Sequence, residues 1–393
     1  MFQKMLVGGF AGLACAVASS AAFGADGTDS STELTDVYVN PAPDLRSRQP
    51  IFPNLVELED GRLLACFVIG EAMDAANARS HLAESTDGGK TWSASWRMFP
   101  NNATETDYCK ITVLGGNRLM ALGYAFERPD PDAPMCNAAT GGLLPDRVFV
   151  SFSEDAGRTW SERTSVPEHW GGHTEASGPV VKLADGTLAT PITGFPDWEG
   201  KPTSRNCGRL LVSKDGGRSW SDEAITMAFP NDEVSVYEQR ICQLDSGTIV
   251  DIAWNENLKT GKRLPNHISY STDGGRTFSA PISTGIMGQA ASVTALGDER
   301  FLAVVARRRD TDRPGVYGYV VDFSDKTWKV IKEKVLWEPG GGAIKRERGR
   351  AEIFAFLKFG QPSVVRLRNG KLRLILWYKA DGQFHVGTGE VAL

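Results

Sequence analysis

Ser85-Thr-Asp-Gly-Gly-Lys-Thr-Trp92 is the stretch that decides the fold, because its pattern returns three times along the chain. Asp and Gly favour a tight hairpin with a positive φ, and Ser and Asp side chains can bond the backbone of their own turn. The motif is therefore structural, and its recurrence predicts a repeated all-β unit. The other copies, 68, 60 and 58 residues further on in turn, are Ser153-Glu-Asp-Ala-Gly-Arg-Thr-Trp160, Ser213-Lys-Asp-Gly-Gly-Arg-Ser-Trp220 and Ser271-Thr-Asp-Gly-Gly-Arg-Thr-Phe278.

A second repeat falls between these motifs: an apolar strand, a turn containing Gly, and another apolar strand. Asp-Gly or Asn-Gly between apolar runs favours a β-hairpin. Six copies predict a six-bladed β-propeller of four-stranded antiparallel blades. The sixth blade has about three strands left before Leu393, so Thr35 to Pro41 is expected to supply the missing strand and close the ring. The copies occupy residues 55–64, 111–120, 180–188, 241–249, 293–302 and 364–372.

The N-terminal segment has the pattern of an export signal. Lys4 precedes a short apolar run at 6–17, and small residues follow up to a cleavage point after Gly24. The apolar run is too short to span a bilayer. We therefore expect a signal peptide at 1–24, a polar linker at 25–34, a single propeller domain at 35–393, and a periplasmic or secreted protein.

Composition excludes several classes of partner and cofactor. A net charge of −5 without a long basic block argues against nucleic-acid or membrane-surface binding. No cysteine pair has the CxxC spacing of a zinc cluster, so neither a metal nor another cofactor is expected. The five cysteines after the signal segment are expected to be mostly buried, with one disulfide possible. The oligomeric state is left open.

Polar side chains stand where each inner strand is predicted to begin. In a propeller these positions face one end of the central channel, where sugar hydroxyls and a carboxylate-based reaction would be accommodated. His267 and Arg308, on neighbouring strands, are expected to reach the same end. The inner-strand positions are Arg46, Arg48 and Gln49; Asp107, Tyr108 and Lys110; His173 and Glu175; Glu238 and Arg240; Gln289; and Gln361.

Glu175 and Glu238 are the candidate catalytic pair, because glycoside hydrolysis needs one carboxyl as proton donor and another as nucleophile or base. They enter from neighbouring blades. His173 is two residues before Glu175 and can share its strand face, either as a general base or as a hydrogen-bonding group for the substrate. The remaining polar positions are predicted to bind substrate.

The four motifs, known as Asp boxes, and the sixfold repeat make the chain similar to the sialidase superfamily of BNR-repeat propellers. The resemblance covers essentially the whole predicted mature chain. Sialidases carry three arginines that clamp the substrate carboxylate, a Tyr–Glu nucleophile pair and an Asp acid. Of these, Glu238 matches the family's Glu. Ile51 in Ile51-Phe-Pro53 replaces the first arginine, a second arginine falls near Trp254, and the tyrosine falls near Gln361. These departures argue against classical sialidase activity.

The resemblance leaves three hypotheses for function. The first is an exo-acting glycoside hydrolase that cleaves a terminal sugar from an extracellular glycan; the Glu175–Glu238 pair resembles that of exo-arabinanases with two glutamates. The second is a polysaccharide lyase on uronate-containing glycans, in which His173 acts with Tyr108 or Arg240. The third is a non-catalytic glycan-binding propeller.

Overall fold

The computed structural model describes residues 31–45, 48–130, 132–137, 139–167, 173–201, 206–309, 311–339 and 357–393. The predicted signal peptide and the first part of the linker lie outside them. From Ser31 onward the chain is one compact unit. No helix within the described ranges is long and apolar enough to cross a membrane.

Six antiparallel sheets follow one another along the chain, which confirms the six-bladed β-propeller. The strands of each blade are given from the inner strand outward. In blade three the inner strand is split into two pieces, β10 (His173–Glu175) and β11 (Val181–Lys182), which both pair with β12 (Leu188–Phe195). Blade one contains β2 (Gln49–Glu57), β3 (Leu63–Gly70), β4 (Arg79–Ser85) and β5 (Trp96–Arg97); blade two contains β6 (Tyr108–Gly115), β7 (Arg118–Phe126), β8 (Asp146–Ser153) and β9 (Thr164–Ser165); blade three contains β10 (His173–Glu175), β11 (Val181–Lys182), β12 (Leu188–Phe195), β13 (Cys207–Ser213) and β14 (Ser221–Ala228).

The last three blades repeat the arrangement, with a short 3-10 turn at Pro230–Asp232 before blade four. Blade four contains β15 (Tyr237–Gln243), β16 (Ile249–Asn257), β17 (Lys262–Ser271) and β18 (Ile282–Ser283); blade five contains β19 (Ala291–Gly297), β20 (Arg300–Arg307), β21 (Gly315–Asp322) and β22 (Lys329–Trp337); blade six contains β23 (Phe359–Arg366), β24 (Leu372–Ala380), β25 (Gln383–Val391) and β1 (Thr35–Val39).

The N-terminal strand closes the ring, as the sequence predicts. Strand β1 pairs antiparallel with β25, so that Thr35 lies opposite Thr388 and Val39 opposite His385. This pairing covers the edge of β25 and gives the sixth sheet the four strands of the other blades.

The second strands of the blades are mostly buried. All eight residues of β3 are buried, because both faces of that strand are covered by neighbouring blades. The outer strand β22 is mostly exposed by contrast. Cys66, Cys109 and Cys242 are free buried thiols within the apolar clusters between blades.

Each Asp box is a joint between blades as well as a turn. In blade four, Ser271 Oγ donates to Asp273 Oδ1 (2.7 Å) and accepts from the N–H of Gly275 (2.8 Å), while Thr277 Oγ1 donates to Asp273 Oδ2 (2.6 Å). Gly275 has a φ of 86°, and a Cβ there would lie 2.7 Å from Leu210 Cδ2 of blade three. The corresponding contacts of the other boxes are Gly89 with Arg373, Gly157 with Leu82, and Gly217 with Met120.

Candidate active site

The central channel contains a cavity of about 360 Å³ lined by inner-strand residues of the blades. Lys110, Arg240 and Gln361 line it near the starts of their strands, whereas Glu57 and Arg366 line it near the ends of theirs. Glu175 and Glu238 belong with the first group because both interact electrostatically with Lys110 and Arg240. We call these five residues, Lys110, Glu175, Glu238, Arg240 and Gln361, the funnel.

Three inner strands reach the funnel through β-bulges that hold a non-glycine residue at positive φ. These residues are Phe52 (52°) in β2, Glu238 (45°) in β15 and Gln361 (41°) in β23, each within an interruption of strand register. A bulge redirects a side chain from the alternating pattern of the strand, and such backbone strain concentrates at functional sites. Two of the three strained residues are predicted site residues.

Glu238 is held by hydrogen bonds to both of its carboxylate oxygens. Trp254 Nε1 donates to Oε2 (2.7 Å) and Gln361 Nε2 donates to Oε1 (3.2 Å). The Gln361 amide is itself oriented, because its Oε1 accepts a hydrogen bond from Trp377 Nε1 (2.5 Å). The two N–H donors fix the position and orientation of the Glu238 carboxyl group.

Glu175 occupies a different environment. Burial, followed by the negative charge of Glu238, raises the pKa of Glu175 to about 7, although a hydrogen bond from Ser177 and the charges of Arg240 and Lys110 oppose the rise. Two neighbouring carboxyl groups in different environments are the arrangement by which proteins separate an acid from a base.

Two cations complete the funnel. Lys110 Nζ donates to the carbonyls of Phe52 and Pro53, and burial, followed by the charge of Arg240, lowers its pKa to about 7. Arg240 Nη1 donates to Ser177 Oγ (3.0 Å) and to the carbonyl of Gln239 (2.7 Å). Lys110 thus supports the strained turn of blade one, and Arg240 supports the segment that follows Glu175.

His173 pairs with a residue that the sequence did not indicate. Its Nδ1 lies 3.4 Å from Asp146 Oδ1, which also accepts a hydrogen bond from the N–H of Thr174 (3.1 Å). Burial raises the pKa of Asp146, and the hydrogen bond to His173 opposes that rise. A carboxyl beside an imidazole orients the ring, which is how proteins prepare a histidine to move a proton.

Tyr124, Trp254 and Trp377 are further residues near the carboxyl groups that inspection of strand starts could not find, since all three lie on second strands. Burial, followed by the charge of Glu175, raises the pKa of Tyr124 well above its usual range. The sequence feature that could have identified them is a tyrosine or tryptophan, each with a polar group, within a strand that is otherwise mostly apolar.

A smaller cavity adjoins the funnel between blades four and five. Gln289, Arg308 and Trp254 are among its lining residues, and Arg308 Nη1 donates to the carbonyl of Phe359 (2.8 Å). Trp254 links this cavity to the funnel, because its Nε1 also donates to Glu238; substrate binding by Gln289 and Arg308 stays a prediction.

The structure places other predicted site residues in structural roles. Asp107 is buried between blades one and two, where it accepts hydrogen bonds from the N–H of Ser80 and from Asn102 Nδ2 (2.7 Å). Tyr108 is buried in an apolar cluster, and its hydroxyl donates to the carbonyl of Met73 (3.1 Å).

Two further predicted residues also bond outside the funnel. Arg48 is exposed, and its Nε donates to the hydroxyl of Tyr38 (3.1 Å). His267 Nδ1 lies 3.0 Å from Asn255 Oδ1, with its ring edge-on to Phe229. Arg46 lies outside the described residues. Among the described residues, no group of three or more His, Cys, Asp or Glu side chains could hold a metal ion.

Comparisons with known proteins agree with this architecture. A family model described as BNR repeat-like domain matches residues 135–374, and a BNR/Asp-box repeat model matches residues 83–94. The chain is 26% identical over 211 residues to a sialidase of Bacteroides fragilis (strain YCH46), which covers 47% of this chain and 36% of that protein. It is 21% identical over 320 residues to a sialidase of Clostridium perfringens, covering 74% of this chain and 79% of the relative. The match thus spans about a third of the Bacteroides protein.

Solved structures show the same fold at low identity. A Dyadobacter fermentans DSM 18053 protein of unknown function superposes with a TM-score of 0.69 at 18% identity, covering 91% of this chain and 98% of that one. The Hadza microbial sialidase Hz136 superposes with a TM-score of 0.61 at 15% identity, covering 86% and 65%.

Proposed function

The chain belongs to the BNR repeat-like domain family, within the sialidase superfamily, and from that premise we propose that it is a glycoside hydrolase that removes a terminal sugar from a glycan. The observation that carries the proposal is the contrast between its two carboxyl groups. Glu175 is half-buried, and desolvation together with the charge of Glu238 raises its pKa to about 7, whereas Glu238 receives two N–H donors.

In the proposed reaction, the protonated Glu175 donates its proton to the glycosidic oxygen as the bond to the anomeric carbon breaks. Glu238 supplies the second carboxyl, either attacking the anomeric carbon itself or removing a proton from the attacking water. Gln361 occupies the place of the family's tyrosine, and its amide cannot act as that nucleophile. Its role is to hold Glu238 in position through the hydrogen bond at 3.2 Å.

The cations and the adjoining cavity are assigned to positioning. Arg240 bonds Ser177 and so fixes the segment that carries the acid. Arg308 and Gln289 line the adjoining cavity of about 10 Å³, which has room for about one water molecule, so any contact of theirs with the sugar would be made through water.

The test is mass spectrometry of products after incubation with a panel of sialosides, arabinans and uronate-containing glycans. A released monosaccharide that has gained one water identifies both the reaction and the sugar. Glu175→Gln and Glu238→Gln should each abolish release, whereas Glu57→Gln, at the opposite end of the same channel, should not. Wild-type rates in both funnel variants would refute the assignment. The anomer released first, read by NMR, reports whether configuration is retained.

The His173–Asp146 pair supports a second candidate, a polysaccharide lyase that acts on uronates. The oriented imidazole would remove the proton next to the uronate carboxyl group, and Arg240 would neutralise the developing charge. The C–O bond to the leaving sugar would then break as a C=C bond forms, and the leaving oxygen would take a proton from water. A lyase would release an unsaturated, ultraviolet-absorbing product and would lose activity in His173→Ala more than in Glu238→Gln. Binding of panel glycans without any product would leave the non-catalytic propeller.

We also propose that the protein is exported, on the pattern of residues 1–24. N-terminal sequencing of protein recovered from the periplasm or medium should begin at Ala25. Recovery only of chains that retain Met1 would refute export by cleavage.

A further inference from the structure

The two carboxyl groups of the funnel lie at different depths in the central channel. Glu175 is opposite Thr193 on β12, and Tyr237 is opposite Trp254 on β16. Thr193 and Trp254 hold equivalent places, because each is the sixth residue of its strand. Glu175 is therefore level with Tyr237, and Glu238 comes one residue farther along its strand. Glu175 is thus the carboxyl nearer the end of the channel at which the inner strands begin, and Glu238 is the deeper one.

Both carboxyl oxygens of Glu238 are held by fixed donors. Oε2 accepts from Trp254 Nε1 (2.7 Å) and Oε1 from Gln361 Nε2 (3.2 Å). Trp254 lies on a paired second strand, and Gln361 Oε1 accepts a hydrogen bond from Trp377, so neither donor can follow a moving carboxyl group. Each oxygen has a second lone pair and can accept a hydrogen bond from water without losing its donor. Attack by Glu238 on a sugar carbon would instead require one oxygen to leave its donor, which costs free energy.

The cavity of the central channel continues beyond Glu238, away from the strand starts. On blade six it is lined in turn by Gln361, Ser363 and Val365 of β23. Inner strands pair with a second strand on one side only, so the backbone groups along their other edge open on the channel, where water can bond them. Within the described part of the chain, the buried hydroxyls of Ser292 and Ser363 on the channel wall also lack a hydrogen-bond partner. The cavity of about 360 Å³ has room for about ten water molecules.

We propose that water held in the central channel is the attacking group, so that the protein inverts the configuration of the sugar that it releases; this inference rests on the proposed glycoside hydrolase function. The rest of the glycan extends out past the strand starts, beside Glu175, so the opposite face of the terminal sugar is turned toward the channel. The water oxygen forms a bond to the anomeric carbon from that side while Glu238 accepts a proton from the water. The bond from the anomeric carbon to the glycosidic oxygen breaks, its electron pair stays on the oxygen, and the oxygen takes the proton of Glu175. Exchange with solvent then removes the proton from Glu238 and restores the proton of Glu175.

The first test is the configuration of the sugar that the wild-type protein releases. Proton NMR of early hydrolysis, recorded on the panel glycan that is cleaved, should show the anomer opposite to that of the substrate. A fluorinated analogue of the same glycoside, of the kind that traps covalent glycosyl intermediates, should leave the intact mass of the protein unchanged. Retention of configuration, or an added mass of one fluorosugar, would overturn this proposal and leave the hydrolase proposal standing. Release of no sugar at all would refute the hydrolase proposal and this one with it.

The second test narrows the channel without altering the funnel. Val365→Phe places a larger side chain in the cavity and should lower kcat about tenfold with KM unchanged, because the glycan still binds but the water is displaced. Val330→Phe makes the same change at a half-buried position of β22 and is the matched control, which should keep the wild-type kcat. Ser363→Val removes a hydroxyl from the channel wall with little added volume and should also lower kcat, which keeps the test valid if thermal melting shows that Val365→Phe does not fold. Wild-type kcat in the folded channel variants would overturn the proposal.

Discussion

The Asp box of blade four contains two adjacent glycines whose replacement by alanine should have different consequences. Gly274 and Gly275 both have positive φ, 75° and 86°. A Cβ on Gly274 meets nothing within 4 Å, whereas one on Gly275 lies 2.7 Å from Leu210 Cδ2 and 3.4 Å from Ile249 Cδ1. Leu210 and Ile249 are fully buried, so they cannot move aside without disturbing the core.

The expected losses of stability follow from the positive φ at both positions and from the contacts that a Cβ on Gly275 makes with Leu210 and Ile249. A non-glycine residue in the left-handed region costs about 1–2 kcal/mol, and reduced freedom of the unfolded chain offsets about 0.4–1 kcal/mol of this. Gly274→Ala should therefore destabilise the protein by about 1 kcal/mol. Gly275→Ala bears the same cost and adds overpacking between blades, which is about 1–3 kcal/mol.

Thermal melting of the two variants measures the difference, which corresponds to roughly 1–4 °C in Tm for a chain of this size. The paired design cancels the backbone contribution, so the residual reports the contact between blades three and four. Equal melting temperatures for the two variants would refute the reasoning, since the glycine would then serve only the turn and not the joint.

Three further predictions concern the funnel. Trp254→Phe removes the hydrogen bond to the Glu238 carboxyl group and should lower kcat/KM about tenfold or more. Trp96→Phe loses an N–H bond to the distant Asp box of blade two and should leave kcat/KM unchanged. Equal kcat/KM in the two variants would contradict the proposed role of Trp254. The alkaline fall in activity should follow the proton of Glu175 and begin near pH 7, and Ser177→Ala should move it to higher pH, because the Ser177 hydrogen bond lowers that pKa; a move to lower pH would contradict this. The pKa of Lys110 is lowered to about 7 on folding, so between about pH 7 and 10 the unfolded chain binds one more proton than the folded protein, and the free energy of unfolding should rise with pH. Denaturant unfolding of Lys110→Met should show a smaller rise over this range. An identical pH dependence in the wild type and the variant would refute the assignment.

The architecture was predictable because its signals are local and repeated. Each Asp box specifies its turn within eight residues, and each Gly-containing hairpin specifies two strands, so six copies determine the number of blades without any long-range information. The closing strand at Thr35–Val39 followed from the shortage of strands in blade six.

The site was predictable only where inner-strand starts face the channel. Lys110, Glu175, Glu238, Arg240 and Gln361 were predicted in this way; the structure brings them together, and their role as a site stays a prediction. The start of the inner strand of blade two shows where this approach fails. Asp107 and Tyr108 come just before Lys110, but their side chains bond residues of blade one rather than enter the funnel. Side chains alternate between faces along a strand, and a bulge reverses that alternation, so sequence position alone does not decide which neighbours enter a site.

The residues that were missed share a different cause. Trp254 contacts the Glu238 carboxyl group from a second strand, and Asp146 contacts the His173 imidazole from a third strand. Neither residue is close in sequence to the start of an inner strand. Their proximity depends on the twist and register of whole blades, which the repeat pattern does not encode.

The pairing of β1 with β25 determines when the propeller ring can close. Strand β1 is the first of the described strands in the sequence and its partner β25 is the last, so until both are present blade six has an unpaired edge. The ring therefore cannot close from either half of the domain alone, and a fragment that lacks one of these two strands should keep an unpaired edge open to pairing with another chain.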